Sequence, residues 1–324
     1  MDHAPRVSIV IAAFNAADTL EEALTSVAAQ TYRDFELVVV DDGSTDATPV
    51  LLAKYAAMWP WMKWVRQDNA GVSVARNRAI EMARSEFIAF LDADDVWLPD
   101  KLALQVPLFD RNSATALVYT DMTDWPPDPA LAPSLFRDKH PVRGRVLQRL
   151  LIGCFVLTST VVVKKSAVQR IGGFVPGQRL FEDVDMFLRL AEYHDFDYVD
   201  KVLVRRLVRP ESLSHRDPLA NQLRDLEIFG DWVARRPDLF PEDAPEVRDH
   251  RAKVYMRMGR TLLSRHDWAG SRHAYRRAIA LGQRSPGVLV RAAAAYLPAL
   301  ARLYWLAKAA RGHISRGSVA DPEE

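Results

Sequence analysis

Uninterrupted apolar runs recur through the first third of the chain, and a polar segment follows each of them. Four runs are predicted as strands: residues 7–14, 35–40, 62–66 and 87–91. Between the first two, Asp18 and Glu21 resemble a capping box and predict a helix that reaches about Gln30. Apolar strands without alternation are typical of parallel sheets covered on both faces. The pattern therefore predicts an α/β fold with a mostly parallel, Rossmann-like sheet and flanking helices.

The fourth run leads directly into three carboxylates, Asp92, Asp94 and Asp95. No Lys or Arg lies within five residues of Asp94, so these acids need another cation. Acids at positions i and i+2 of an extended segment project to the same side, and their oxygens suit Mg²⁺ or Mn²⁺ carrying a phosphate. The alternative is a solvated loop in which Asp95 caps the next helix. The carboxyl end of a strand is where ligands bind in open α/β sheets, which favours a metal site.

A second acidic pair, Asp41 and Asp42, ends the apolar run at residues 35–40. A turn followed by a helix cap at Ser44 or Asp46 explains part of this polar string. It does not explain why two adjacent acids stand at the end of a core strand.

Two later segments carry charges at the start of predicted helices. Gly71 opens a helix whose first turns contain Arg76 and Arg78, and such N–H and guanidinium groups favour phosphate oxygens. The alternative is a helix whose arginines face solvent. Glu182 and Asp183 begin a later amphipathic helix, where acids ordinarily complement the helix dipole.

In order and spacing, these segments resemble the successive motifs of family 2 glycosyltransferases with the GT-A fold. The matching segments are residues 7–15, 41–46, 71–77 and 91–95, and the resemblance covers about residues 5 to 215. It implies a GT-A type sheet and an inverting enzyme. It also implies a nucleotide-diphospho-sugar donor, with a UDP-sugar favoured, and a divalent metal, Mn²⁺ or Mg²⁺.

The resemblance implies a role for each matching residue. The nucleoside would lie against four residues: Ala12, Ala13, Phe14 and Asn15. Asp42, with Asp41 behind it, would contact the base or ribose, and Arg76 would approach the nucleotide. Asp92 and Ala93 would also lie at the nucleotide sugar.

The resemblance also implies a metal site and a catalytic base. Asp94 would bind the metal, Asp92 would meet the ribose or the metal, and Asp95 would support them. His215 would complete the metal shell, or else is a hydrogen-bonded loop histidine. Asp183, the second acid of its pair, would be the general base that accepts the proton of the acceptor hydroxyl.

The connection after a predicted strand at residues 118–121 is rich in proline and contains Trp125. Long connections inside compact domains are usually functional or disordered. Trp125 either stacks on a sugar face or only fixes the connection. A short β-branched strand is predicted next, at residues 159–163. The Gln-x-x-Arg-Trp signature of processive polysaccharide synthases is absent, which favours transfer of one sugar at a time to a glycan or lipid-linked acceptor.

Composition excludes several classes of protein. With 43 basic and 42 acidic residues the net charge is +1, so nucleic acid is not an expected partner. Cys154 is the only cysteine, which excludes an internal disulfide and fits a reducing compartment. No signal peptide and no membrane-spanning run are expected. No Gly-x-Gly-x-x-Gly follows the first strand, which disfavours a Rossmann dehydrogenase. We expect a cytoplasmic protein, with a peripheral position at the inner membrane face as an option.

Three regions are predicted along the chain: a catalytic domain at residues 1–217, a helical region at residues 218–312 and a disordered tail at residues 313–324. The spacing of Gly259, Ser271, Tyr275 and Ala278 is typical of one tetratricopeptide-like helix pair. A single such unit cannot form a solenoid, so a docked helical hairpin is expected.

The end of the chain is basic and aromatic. Residues 268–320 contain nine Lys or Arg and no Asp or Glu, and residues 288–310 are mostly apolar. Such a basic amphipathic helix suits an anionic membrane surface, and a helix packed on its own protein is the alternative. A different class of function, a nucleotide-sugar-binding scaffold without turnover, is also open. The presence of Asp92, Asp94 and Asp183 together favours the enzyme.

Overall fold

A computed structural model describes residues 4–127, 133–208 and 217–296 of the chain. The chain divides into two compact units, Met1–Ser212 and Leu213–Glu324. Three predictions concern residues that lie outside the described ranges. They are the predictions for His215, for the basic residues Arg302, Lys308, Arg311 and Arg316, and for the tail at residues 313–324.

The first unit contains one eight-stranded sheet with the strand order β3-β2-β1-β4-β7-β6-β8-β5. The strands are β1 (Val7–Ala13), β2 (Phe35–Asp41), β3 (Met62–Arg66), β4 (Phe87–Phe90), β5 (Asp95–Trp97), β6 (Thr115–Trp125), β7 (Val162–Lys164) and β8 (Asp195–Leu207).

The four strands expected from the apolar runs form the parallel half of this sheet. Nearly all residues of β1, β2 and β4 are buried, because both faces of the sheet are covered there. Beyond β4 the sheet is mixed, since β7 is antiparallel to both β4 and β6 while β8 is parallel to β6. The predicted α/β fold with flanking helices is confirmed.

The described helices of the first unit are α1 (Leu20–Ala28), α2 (Thr48–Met58), α3 (Val72–Met82), α4 (Lys101–Arg111), α5 (Leu135–Lys139), α6 (Leu147–Ile152), α7 (Lys165–Arg170) and α8 (Glu182–Tyr193). The predicted capping box at the first of them is wrong. Helix α1 starts after Thr19 with no side-chain cap. The Glu21 carboxylate instead accepts hydrogen bonds from the Tyr55 hydroxyl and from Lys54, both on α2.

The second unit consists of helices in its described part: α9 (Pro218–Arg235), α10 (Pro245–Ser264), α11 (Trp268–Ala280) and α12 (Pro286–Ala294). Helices α10 and α11 pack against each other in close contact at Gly259. The Ser271 hydroxyl donates to the Gly259 carbonyl at 2.9 Å, and the Tyr275 ring lies against the Gly259 Cα. None of the described helices is long and apolar enough to cross a membrane.

The close approach at Gly259 yields a prediction about stability. A Cβ at position 259 would lie 2.9 Å from carbons of the Tyr275 ring, which is itself buried and unable to swing away. Gly259→Ala should therefore lower the free energy of unfolding by about 1–3 kcal/mol. Gly230, on α9, is the matched control because nothing lies within 4 Å of its added Cβ. Gly230→Ala should stabilise by up to about 1 kcal/mol, since alanine is the better helix former. Chemical denaturation of both variants checks the pair, and equal effects would contradict the contact.

Candidate functional site

The carboxyl ends of β1, β2 and β4 lie at one edge of the sheet, because the three strands are parallel and in register. The loops that follow β1 and β2 are tied together there. The Asp42 N–H donates to the Ala13 carbonyl at 2.8 Å, and the Asn15 N–H donates to the Ser44 hydroxyl at 2.9 Å. Phe14 stands between them with 51% of its surface exposed. The segment from Ala12 to Asn15 thus forms one wall of an open polar edge.

The acidic pair at the end of β2 is buried and holds neighbouring loops. One Asp42 oxygen accepts from the Gln67 side chain and the Ala70 N–H, and the other accepts from the Gly71 N–H at 2.8 Å. Asp41 accepts from the Ser44 N–H and lies 3.4 Å from the Arg66 guanidinium. These two carboxylates therefore hold the loops that follow β2 and β3.

Arg76 connects the acids at the end of β4 with the acids at the start of α8. Its guanidinium donates to Asp92 at 2.7 Å and to Glu182 at 3.0 Å, and it lies 5.2 Å from the centre of the Phe174 ring. Only 7% of the side chain is exposed, so the solvent-facing alternative is wrong for this arginine. Burial opposes its charge, but the nearby carboxylates outweigh burial and raise the pKa of Arg76.

The three acids after β4 have different surroundings. Asp92 and Asp94 are partly exposed, and the Asp92 side chain has 35% of its surface open. Ala93 between them packs its methyl group against the core. Asp95 is buried and begins β5, where it accepts from the Ser159 hydroxyl at 2.5 Å and the Leu207 N–H at 3.3 Å. The helix-cap alternative for Asp95 is wrong, because α4 begins after Asp100.

Burial, together with the negative charge of Asp92, raises the pKa of Asp95 well above its usual range. Among the described residues, no group of three or more His, Cys, Asp or Glu side chains converges to hold a metal. Asp92 and Asp94 are nevertheless chemically suited to a divalent ion. Mg²⁺ is usually held by one or two carboxylates together with substrate phosphates.

Helix α8 places Glu182 and Asp183 next to this cluster, directly after Phe181, which has a left-handed backbone with φ of 59°. Glu182 is bound by Arg76. Asp183 accepts from its neighbour's N–H, that of Val184, at 2.8 Å and from the Thr158 hydroxyl at 3.1 Å. Burial raises the pKa of Asp183, although the positive charge of Arg76 opposes the shift. Burial and the charge of Asp183 raise the pKa of Glu182 in the same way.

Sequence reasoning missed three residues that surround these acids: Thr158, Ser159 and Cys154. The first two belong to a short 3₁₀ turn (Thr158–Thr160) that precedes β7, where the sequence predicted a strand from residue 159. The Cys154 thiol donates to the Val156 carbonyl. Burial, and then the negative charge of Asp183, raises the pKa of Cys154 to about 12. Nothing in the local sequence identifies these neighbours, because the contacts join residues far apart in the chain.

Trp125 ends β6 with 53% of its surface exposed. The Arg205 guanidinium lies 5.6 Å from the centre of its ring, and the adjacent Arg206 pairs with Asp124 at 2.8 Å. The exposed indole is compatible with both alternatives, a sugar platform and an anchor for the connection that follows.

Comparison with known proteins identifies relatives of the chain. The family model described as Glycosyl transferase family 2 matches residues 8–167. TuaG of Bacillus subtilis, a putative teichuronic acid biosynthesis glycosyltransferase, is 30% identical over 190 residues, which are 58% of this chain and 73% of that protein. A chondroitin synthase of Escherichia coli is 28% identical over 65% of this chain. The first relatives are much longer proteins, of which the match spans only 21% to 30%.

Solved structures share the fold. A structure of S. aureus TarS in complex with UDP-GlcNAc has a TM-score of 0.57 at 18% identity, over 84% of this chain and 89% of that one. The mannosyltransferase PcManGT from Pyrobaculum calidifontis, in complex with GDP-Man and Mn²⁺, has a TM-score of 0.60 at 20% identity, over 94% of this chain and 84% of that one. With the strand order, the motifs and TuaG, these likenesses lead to one conclusion: the chain belongs to glycosyltransferase family 2.

Proposed function

We propose that the protein is an inverting glycosyltransferase that moves one sugar from a nucleotide-diphospho-sugar to a hydroxyl of a glycan or lipid-linked acceptor. The observation that carries the proposal is that the two acids at the start of α8, Glu182 and Asp183, have different partners. Arg76 binds Glu182, whereas among the described residues Asp183 accepts from an N–H and a hydroxyl. A partly buried carboxylate with a raised pKa beside a polar edge has the properties of a general base.

The donor would lie along the edge formed by β1, β2 and β4. The exposed Phe14 ring and the segment from Ala12 to Asn15 offer a surface for the nucleoside, with Asp42 beneath it. Because Arg76 is buried between two acids, it would act on the nucleotide by fixing Asp92 and not by direct contact. The complexes of TarS with UDP-GlcNAc and of PcManGT with GDP-Man support a nucleotide sugar as donor. We favour a UDP-sugar.

A divalent cation, Mn²⁺ or Mg²⁺, would be held by Asp94 and Asp92 together with the donor phosphates. It would supply positive charge for the departing nucleoside diphosphate. The Mn²⁺ in the PcManGT complex supports this proposal, and so does the partial exposure of both carboxylates. Asp95 would keep their segment in place through its bonds to Ser159 and Leu207.

In the transfer step, the acceptor oxygen would attack the anomeric carbon on the face opposite the diphosphate. The bond from that carbon to the diphosphate oxygen breaks as the new bond forms, which inverts the configuration. The hydroxyl proton passes to an oxygen of Asp183. Glu182 would stay paired with Arg76. Its role would be to hold the Arg76 guanidinium, whose positive charge offsets the charge of Asp183.

We also propose that the reaction takes place in the cytoplasm, where nucleotide sugars would be available, and that the basic C-terminal region contacts an anionic membrane. The described part of that region gives mixed support. Arg272 and Arg276 both lie about the Tyr296 ring, and Arg276 donates to the Tyr296 hydroxyl. These two arginines therefore have partners within the helical unit. Leu289 and Val290 on α12 are about half exposed and are available to a surface.

Asp183→Asn tests the base. The amide keeps the size of the side chain but cannot accept the proton, so kcat should fall on the order of a hundredfold or more while donor affinity changes little. In the unmodified protein, kcat should fall with decreasing pH as Asp183 becomes protonated. The raised pKa of Asp183 places this acid limb above the usual range of aspartate. Initial rates of nucleoside diphosphate release against pH provide the measurement. Asp185 lies two residues further along the same helix, and Asp185→Asn should retain most activity. Equal loss of binding and turnover in Asp183→Asn would make the residue structural.

Cys154 offers a separate electrostatic test that needs no substrate. Removing the charge of Asp183 should lower the pKa of Cys154, because the carboxylate disfavours the thiolate. In Asp183→Asn, alkylation by iodoacetamide at a fixed alkaline pH should accelerate. Since the chain has one cysteine, the modified fraction measured by mass spectrometry reports this site alone. Asp185→Asn should leave the rate unchanged, and an unchanged rate in folded Asp183→Asn would place the charge away from the thiol.

Asp94→Ala tests the metal proposal. The fold should survive, because relieving clustered negative charge seldom destabilises a protein. The gain in affinity that MnCl₂ gives to UDP or GDP should disappear, as measured by calorimetry with and without the metal. Asp100→Ala removes a nearby exposed acid and should preserve the gain. Transfer that continues unchanged in EDTA would contradict the proposal.

A further inference from the structure

The 3₁₀ turn Thr158–Thr160 contacts acids from two separate parts of the site. The Thr158 hydroxyl donates to an oxygen of Asp183 on α8 at 3.1 Å. The Ser159 hydroxyl donates to Asp95 at 2.5 Å and accepts from the Asp92 N–H at 3.0 Å. Adjacent hydroxyls thus contact the proposed base and the segment proposed to bind the donor.

Buried hydrogen bonds to its backbone hold the turn in place. Thr158, Ser159 and Thr160 are all buried. The Trp97 indole N–H donates to the Ser159 carbonyl at 2.8 Å, and the Gln105 amide donates to the Thr160 carbonyl at 2.9 Å. A side chain attached to such a fixed backbone can hold a partner in one position, because moving it would break buried hydrogen bonds.

Asp183 has few other contacts that fix its orientation. One oxygen accepts from the Val184 N–H, which belongs to the same turn of α8, and the other accepts from Thr158. Thr158 is therefore the contact that ties the carboxylate to the sheet. Each oxygen of a carboxylate can accept two hydrogen bonds, so the Thr158 bond leaves capacity for an acceptor hydroxyl.

We propose that Thr158 is a positioning residue, which fixes the carboxylate of Asp183 for proton transfer while Ser159 fixes the Asp92–Asp95 segment from the same turn. The proposal rests on the proposed function, because it gives Thr158 a role through the base. The distance between the base and the donor-binding acids would then be set by the turn Thr158–Thr160.

The hydrogen bond should also affect the protonation of the base. The groups whose charges act on Asp183 are Arg76, Asp92 and the adjacent Glu182, and the Cys154 thiol lies beside it. Burial and the charge of Asp92 raise the pKa of Asp183, whereas Arg76, the Val184 N–H and the Thr158 hydroxyl lower it. Loss of the hydroxyl should therefore move the acid limb of the rate profile upwards.

Thr158→Val removes the donor while it preserves the shape of the side chain, and Thr158→Ser restores the donor. In the full chain, Thr158→Val should lower kcat about tenfold and shift the acid limb upwards by about one pH unit, as expected for a hydrogen bond to a charged group. The donor KM should change little. Thr158→Ser should recover most of kcat and the original limb. Circular dichroism establishes that each variant is folded.

A double variant shows whether Thr158 acts through the base. Adding Thr158→Val to Asp183→Asn should cause no further loss of kcat, because the group that Thr158 positions is already inactive. Normal kcat and pH dependence in Thr158→Val, or Thr158→Ser as impaired as Thr158→Val, would overturn the positioning role alone. Full activity in Asp183→Asn would instead overturn the base and the positioning role together.

Discussion

The charge of Arg76 is the constraint on which the rest of the site depends. It lies between Asp92, which is 16 residues away in sequence, and Glu182, which is 106 residues away. Without it, the Asp92 carboxylate after β4 and the Glu182 carboxylate of α8 would lie close together without a cation between them. Removing one partner of a buried ion pair typically costs about 3–5 kcal/mol, because the remaining charge is left uncompensated. The two ion pairs of Arg76 therefore hold Asp92 and Glu182 at a fixed spacing.

Two kinds of contact hold the two sides of the site together, and they differ in what they control. Arg76 offsets charge, so it lowers the pKa of Glu182, with which it is paired, and also that of Asp183, with which it forms no ion pair. The hydroxyls of Thr158 and Ser159 are uncharged. Each donates a hydrogen bond to one carboxylate oxygen, that of Asp183 and that of Asp95 respectively. Charge compensation allows the acids to lie near one another, and the turn determines the direction in which each one points.

The parallel half of the sheet could be predicted because its apolar runs are local and buried on both faces. Acids at strand ends could be predicted for the same reason, since parallel strands bring their carboxyl ends to one edge. The orientation of Arg76 could not be predicted, because its partners come from β4 and α8. The same limit applies to Asp95. Its sequence fits a helix cap, yet pairing of β5 with β8 draws it into the sheet, where Ser159 and Leu207 bind it.

The charge balance of the site bears on how it would accept a diphosphate. In the described part of the chain, five of its carboxyl groups lie around Arg76, which is paired with two of them; they are those of Asp92, Asp94, Asp95, Glu182 and Asp183. Burial raises the pKa of Asp95 and Asp183. Asp92 and Asp94, which follow β4 at this edge, are partly exposed. A divalent cation entering with the donor would reduce the repulsion between a diphosphate and these acids. The charge balance of the site therefore supports the proposed metal independently of what the relatives bind.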